Sequence, residues 1–262
     1  MSSGPRVLLA PNPSPMTLDG TRTFVVGRDR PVVIDPGPDD PVHLRATLDA
    51  LEGSTPLAIL LTHRHPDHAD GAEALGRATG APVRAADAGS GHGIGEGEVI
   101  PTDEGTVNAI ATPGHTPDHL CFRWRDEEGR NVLFVGDLLM GEGDTTLVAH
   151  PEGDLGAYLQ SLRRVAALAP DVLFPSHGPP IHEPGEAVRR YLRHRVERVE
   201  GTRAALRRIG PAGLPELLDA VYGDTVPPAL RGAAAASLRA VLDHLERLGS
   251  VRRLPDARFA IV

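Results

Sequence analysis

The chain has 262 residues, 40% of them apolar and 24% charged, with 29 Gly and 25 Pro, which is enough for one domain of about 200 residues and a small appendage. Every one of the 27 basic residues is Arg, which excludes Schiff-base and P-loop lysine chemistry, and the single cysteine, Cys121, excludes an intrachain disulfide. The formal net charge of −8 divides unevenly: residues 1–183 carry 13 Arg against 26 acidic residues, and residues 184–262 carry 14 against 9. The asymmetry points to two modules, 1–183 and 184–262.

Along the chain, Thr23–Gly27 and Val32–Asp35 flank a turn signal at Arg28–Arg30 and predict a hairpin. Helical spacing follows over Pro41–Leu51, then a buried strand at Leu57–Leu61, a His-rich loop and a helix over Ala69–Thr79. Strands are predicted at Val83–Ala85, Thr106–Ala111, Leu120–Trp124, Val132–Val135 and Val172–Phe174, with an amphipathic helix at Leu155–Leu168 before the last. This rhythm describes a mixed α/β domain of layered sheets. After Pro184 the pattern becomes helical: Val188–Arg208, Leu214–Tyr222 and Pro228–Leu248, closed by alternating segments Val251–Leu254 and Arg258–Val262. Helices followed by a hairpin outline a winged helix. No run approaches the roughly 18 apolar residues of a membrane span and the start lacks a secretory layout, so a cytoplasmic protein without a membrane partner is expected.

The chemistry concentrates in Thr62-His63-Arg64-His65-Pro66-Asp67-His68, which puts four metal-ligand types within six positions directly after a buried strand. His115, Asp137 and His177 each follow an apolar strand and sit beside Gly or Pro. Strand ends of this kind gather imidazoles and carboxylates along one edge of a sheet. With one cysteine present, a metal site here is built from His and carboxylate.

The pattern His63-x-His65-x-Asp67-His68, followed in order by His115, Asp137 and His177 and preceded by Asp35 in Val33-Ile34-Asp35-Pro36-Gly37, resembles the metallo-β-lactamase superfamily over roughly residues 6–183. Asn12–Thr17, Gly136–Gly143 and the tail look like the β-lactamase-like protein 2 group. The resemblance implies a four-layer αββα sandwich with a small C-terminal winged-helix-like domain. It also implies one metal held by His63, His65 and His115, a second by Asp67, His68 and His177, and Asp137 bridging them, with Asp67 and Asp137 as the catalytic carboxylates. Asp35, Asp118 and His119 are expected to support these ligands from behind. The expected cofactor is Zn²⁺, two per chain, with Fe or Mn compatible with the same donors.

The expected function is hydrolysis by metal-bound hydroxide of a small-molecule ester, thioester or lactone, with a carrier-bound acyl thioester among the candidates. The runner-up is an endoribonuclease acting on single-stranded RNA. A reading of another class is a nucleic-acid-binding regulator with a decayed metal site. Arg189, Arg190, Arg193, Arg195 and Arg198 read as a solvated helix face, with a phosphate or carboxylate track as the functional alternative. His43, His92, His150, His182, His194 and His244 are read as surface or packing residues, and Gly91–Gly95 as a loop. Cys121 is read as inert core, and Thr17, Thr21 and Thr23 as lining the mouth of the site.

Overall fold

The computed structural model describes residues 4–86 and 93–262; Gly91 and His92 lie outside them. Two five-stranded sheets face one another. The first contains β1 (Arg6–Leu9), β2 (Arg22–Val26), β3 (Val32–Ile34), β4 (Ala58–Leu60) and β5 (Val83–Arg84) in sequential order, antiparallel up to β3 and parallel beyond it. The helices α1 (Pro41–Ala50), α2 (Pro66–Ala69) and α3 (Gly71–Thr79) interrupt it. The second sheet runs β10 (Val172–Pro175), β9 (Asn131–Gly136), β8 (Leu120–Arg125), β7 (Gly105–Ala111), β6 (Val99–Thr102), with only the β9–β10 pair parallel. Helix α4 (Leu155–Ala167) is the crossover that joins β9 to β10.

Both sheets are buried on both faces, so their strands read as unbroken apolar runs whose alternate residues enter different cores. Phe24, Val26, Ile34, Leu60, Phe122, Trp124 and Phe134 fill the space between the sheets. Their neighbours Val25, Val33, Ile59 and Leu61 pack with Leu75 of α3 on one outer face. On the other face Cys121, Leu133 and Val135 meet Tyr158, Leu162 and Val165 of α4. This is the αββα sandwich.

The tail consists of α5 (Pro184–Ile209), α6 (Leu214–Tyr222), a 3₁₀ turn at Pro228–Leu230, α7 (Arg231–Arg247) and a hairpin of β11 (Val251–Arg253) with β12 (Phe259–Ile261). Its apolar residues Tyr191, Leu206, Leu217, Leu242 and Phe259 belong to the same continuous core as Tyr158 and Leu162. The charge asymmetry therefore does not mark a packing boundary.

Two strands lie outside the sequence-based expectations. Arg6–Leu9 is a short edge strand amid Pro and Gly, and Val99–Thr102 contains Pro101, which an edge strand tolerates. The helix expected over Ala69–Thr79 is split at Asp70, because Gly71 packs so closely on the Pro36–Pro38 backbone that a β-carbon would lie 3.0 Å from two carbonyl oxygens. Helix α5 starts at Pro184, earlier than expected, where a proline at the first helical position forfeits no intrahelical bond.

Candidate metal centre

The His-rich loop leaves β4 and is fixed at its root by Asp35. This fully buried carboxylate accepts the Thr62 N–H at 2.8 Å and the Thr62 hydroxyl at 2.7 Å, the His68 Nδ1–H at 2.9 Å and the Ser176 hydroxyl at 3.1 Å. His65 caps α2, and Pro66 at the first helical position turns the chain so that Asp67 and His68 lie on one helical turn.

The other segments arrive from the second sheet. His115 follows Gly114, whose φ of +138° and close seat on the Tyr158 backbone, where a β-carbon would come within 2.3 Å, admit only glycine. Asp137 follows β9, and its backbone N–H donates to His119 Nε2 at 3.2 Å. His177 follows β10 and pairs with Thr21 in an isolated bridge.

These donors converge in two adjoining groups. His63, His65, His115 and Asp137 form one and Asp67, His68 and His177 the other, each with one donor atom per residue within 4.8 Å of the rest. Asp137 faces both: Oδ1 lies 3.2 Å from His177 Nε2 and 3.4 Å from His68 Nε2, and Oδ2 lies 3.6 Å from His115 Nε2. Thr21 donates its hydroxyl to Asp67 at 3.3 Å.

The imidazoles are held from behind in one orientation. Nδ1–H of His115 donates to the Leu147 carbonyl at 2.6 Å and Nδ1–H of His177 to the Gly20 carbonyl at 3.2 Å. The Thr62 hydroxyl, already donating to Asp35, accepts from His63 Nδ1–H at 3.0 Å. With His68 on Asp35, four rings direct Nε2 inward, the atom a metal ion would take. His65 is rotated: its Nδ1 lies 3.0 Å from His63 Nε2 and 3.1 Å from His115 Nε2, and its Nε2 lies 3.2 Å from Glu152.

The electrostatics suit a cation. Burial opposes ionisation of Asp137 and Asp67, but the neighbouring His68 and His177 outweigh it and hold both carboxylates well below the usual range. Burial alone would lower His68 and His177, yet Asp137 and the other carboxylates raise His68 well above an ordinary histidine and push His177 up to about 9. His63 and His115 are lowered, chiefly by burial, and keep a free lone pair. His68 Nε2 and Asp137 Oδ1 are buried without a hydrogen-bond partner among the described residues. Such atoms cost free energy unless something binds them, and a borderline cation fits a set of imidazoles and carboxylates.

His119 stands behind the cluster. It is buried and pushed down to about 3, chiefly by desolvation, and its Nδ1–H reaches the Thr112 hydroxyl at 2.9 Å, which in turn donates to Cys121. Cys121 is fully buried and raised by burial to about 12, an inert thiol. Asp118 departs from expectation: its carboxylate faces outward and pairs with Arg64 at 3.6 Å, touching none of the seven donors. Thr17 lines the mouth, Thr21 reaches Asp67, and Thr23 does neither, bonding the Asp35 carbonyl and His43 in the interior. His43 is accordingly a buried packing histidine.

The donors open into a cavity of about 400 Å³. Its far wall comes from the tail, with Tyr222, Val226, Ala233 and Val241 making it apolar, and His194, Arg195 and Arg198 also line it. No local pattern marks these apolar tail residues as part of the site, nor Glu152 at His65. Asn12, which clamps Thr21 through both amide atoms at 2.9 Å, was legible only as part of a motif.

Asp35→Asn is expected to cost about 10–100-fold in metal affinity, because an amide cannot accept from Thr62, Ser176 and His68 together. Titration with a competing chelator measures it, and unchanged affinity would show that His68 is oriented by something else.

Residues 17–177 match the Metallo-beta-lactamase superfamily, and residues 214–258 match the Beta-lactamase associated winged helix domain. The chain is similar to the Lactamase-like protein adaB of Aspergillus niger, with 32% identity over 258 residues, 90% of this chain and 78% of the relative. It is also similar to the Beta-lactamase-like protein 2 homolog of Caenorhabditis elegans, with 32% identity over 259 residues, 93% of this chain and 84% of that one. In fold it is similar to the crystal structure of a metallo-beta-lactamase family protein from Thermus thermophilus, with a TM-score of 0.80, 22% identity and 99% of both chains covered. The convergence of the spaced donors from both sheets and these matches over most of the chain agree, and the protein belongs to the metallo-beta-lactamase superfamily, a superfamily of hydrolases.

Proposed function

We propose that the protein is a dinuclear zinc hydrolase acting on a small-molecule ester, thioester or lactone with an apolar acyl body. His63, His65 and His115 hold one ion, Asp67, His68 and His177 the other, and Asp137 serves both. The observation that carries the substrate class is the cavity: the donors lie in a recess whose opposite wall, built by the tail, is largely apolar. Bound there, a pair of zinc ions supplies an activated water and an electrophile for the charge that develops on the substrate. The protein's own contribution is to keep Asp67 and Asp137 ionised, to present inward lone pairs through backed imidazoles, and to seat the acyl group away from bulk solvent.

A basic track for a polyanion has less support. On α5 the exposed Arg189 pairs with Glu186 at 2.5 Å and the half-buried Arg203 with Glu200 at 3.1 Å, and the tail offers few aromatic platforms for bases.

Protein purified without added zinc is expected to contain about two zinc ions per chain by elemental analysis, and to cleave an acyl thioester but not a fluorogenic single-stranded RNA. RNA cleavage lost on Asp137 substitution would instead establish the ribonuclease. Near-zero metal with no hydrolysis after reconstitution would favour the nucleic-acid-binding regulator.

A further inference from the structure

Two arginines of helix α5, Arg195 and Arg198, line the cavity. Neither has a carboxylate within 4.0 Å among the described residues. Arg195 is 3% exposed; it lies over the Tyr158 ring at 5.0 Å and donates one terminal nitrogen to the Thr146 carbonyl, while its Nε is buried without a partner. Arg198 lies over the Tyr222 ring at 4.8 Å and donates only through Nε, to His194 Nε2 at 3.4 Å. Its terminal nitrogens are uncommitted among the described residues. Since His194 accepts at Nε2, its proton sits on Nδ1, which is also buried without a partner.

Three neighbouring side chains, two of them permanent cations, thus each keep an N–H group that no acceptor answers among the described residues: Arg195 Nε, the terminal nitrogens of Arg198 and His194 Nδ1. A buried guanidinium without a counter-ion is costly, and what satisfies several convergent N–H groups at once is an oxyanion with several lone pairs. Beside these donors Ala233, Ala234 and Ser237 of α7 keep the wall low, and Met140 and Leu147 are apolar, leaving room for a hydrocarbon or aromatic body.

We propose that the tail selects the substrate: Arg198, with Arg195 and His194 beside it, receives a carboxylate or phosphate group that an apolar acyl substrate carries apart from its scissile bond. The inference rests on the acyl-hydrolase reading for the chemistry, but its test does not. Octanoate, octyl phosphate and 1-octanol are titrated calorimetrically into the protein as purified and into Arg198→Gln and Arg198→Lys.

Both anions are expected to bind wild type about tenfold or more tightly than octanol, the difference made by charge-assisted hydrogen bonds. Arg198→Gln should bring the three within about threefold, with octanol affinity unchanged and the melting temperature within about 2 °C of wild type. Arg198→Lys should restore part of the preference, and whichever anion binds more tightly identifies the group.

Equal affinity of wild type for octanol and both anions overturns the proposal, as does a preference that survives in Arg198→Gln. A preference that disappears with chelator but not with Arg198→Gln overturns it too, because the anion is then held by metal. If the preference behaves as expected but no acyl ester or thioester is cleaved, the acyl reading fails and the anion site stands.

Discussion

Alanine in place of Asp137 is expected to reduce turnover by about three orders of magnitude or more and to take metal content below two ions per chain, the scale seen when a central catalytic group is removed. One carboxylate faces both donor groups, Oδ1 toward His68 and His177 and Oδ2 toward His115, so its loss weakens both at once. The fold should survive, because the backbone of Asp137 is held by its N–H to His119 and the β9 strand before it is buried throughout. Elemental analysis and steady-state kinetics on the same preparation test this. Full activity with two ions bound would end the bridging assignment.

The second large effect concerns the tail. Read from charge alone, 184–262 is a separate module whose deletion costs substrate selection more than metal binding. The packing predicts more: a chain truncated after Glu183 should lose its cooperative fold. Leu155, Tyr158, Leu162 and Val165 of α4 are each at most 1% exposed, within the core shared with Tyr191, Leu206, Leu242 and Phe259 of the tail. At about 1.5–3 kcal/mol per fully buried large side chain, exposing even part of α4 consumes much of a typical stability of about 5–15 kcal/mol. The tail also props the site, since the Tyr191 hydroxyl accepts from Met140 N–H at 2.9 Å and Arg195 holds the Thr146 carbonyl, both beside the cavity. Circular dichroism and size-exclusion chromatography of the truncated chain decide the matter. A soluble, sharply melting monomer that binds two ions would show that the sandwich folds without its tail.

Much of the centre was legible because its donors are chemically unusual and locally spaced. His63, His65, Asp67 and His68 fall within six positions on one loop and the helical turn it enters, and His115, Asp137 and His177 each follow a buried strand beside Gly or Pro. The period-two division of apolar runs between two cores follows from the same local rules. Side-chain direction does not. Asp118, three residues from His115, looks like a supporting carboxylate on paper, yet the turn points it outward to Arg64, while His119 next to it points inward to Asp137.

The sequence by itself determined a mixed α/β module of layered sheets, a helical tail with its hairpin and a set of candidate donors, because those depend on residue type, spacing and hydrophobic period; the four-layer sandwich and the grouping of seven donors came from the resemblance those residues carry. Asp137 as the shared carboxylate also came from the resemblance, but which of its oxygens faces which imidazole was decided only by the tertiary structure. It alone joined the tail to the catalytic module by a continuous core, and it alone brought Arg195, Arg198 and His194 to the cavity wall with N–H groups left over beyond their own hydrogen bonds. Those outcomes depend on contacts between residues far apart in the chain, and no local pattern encodes which face of a helix meets which wall of a pocket.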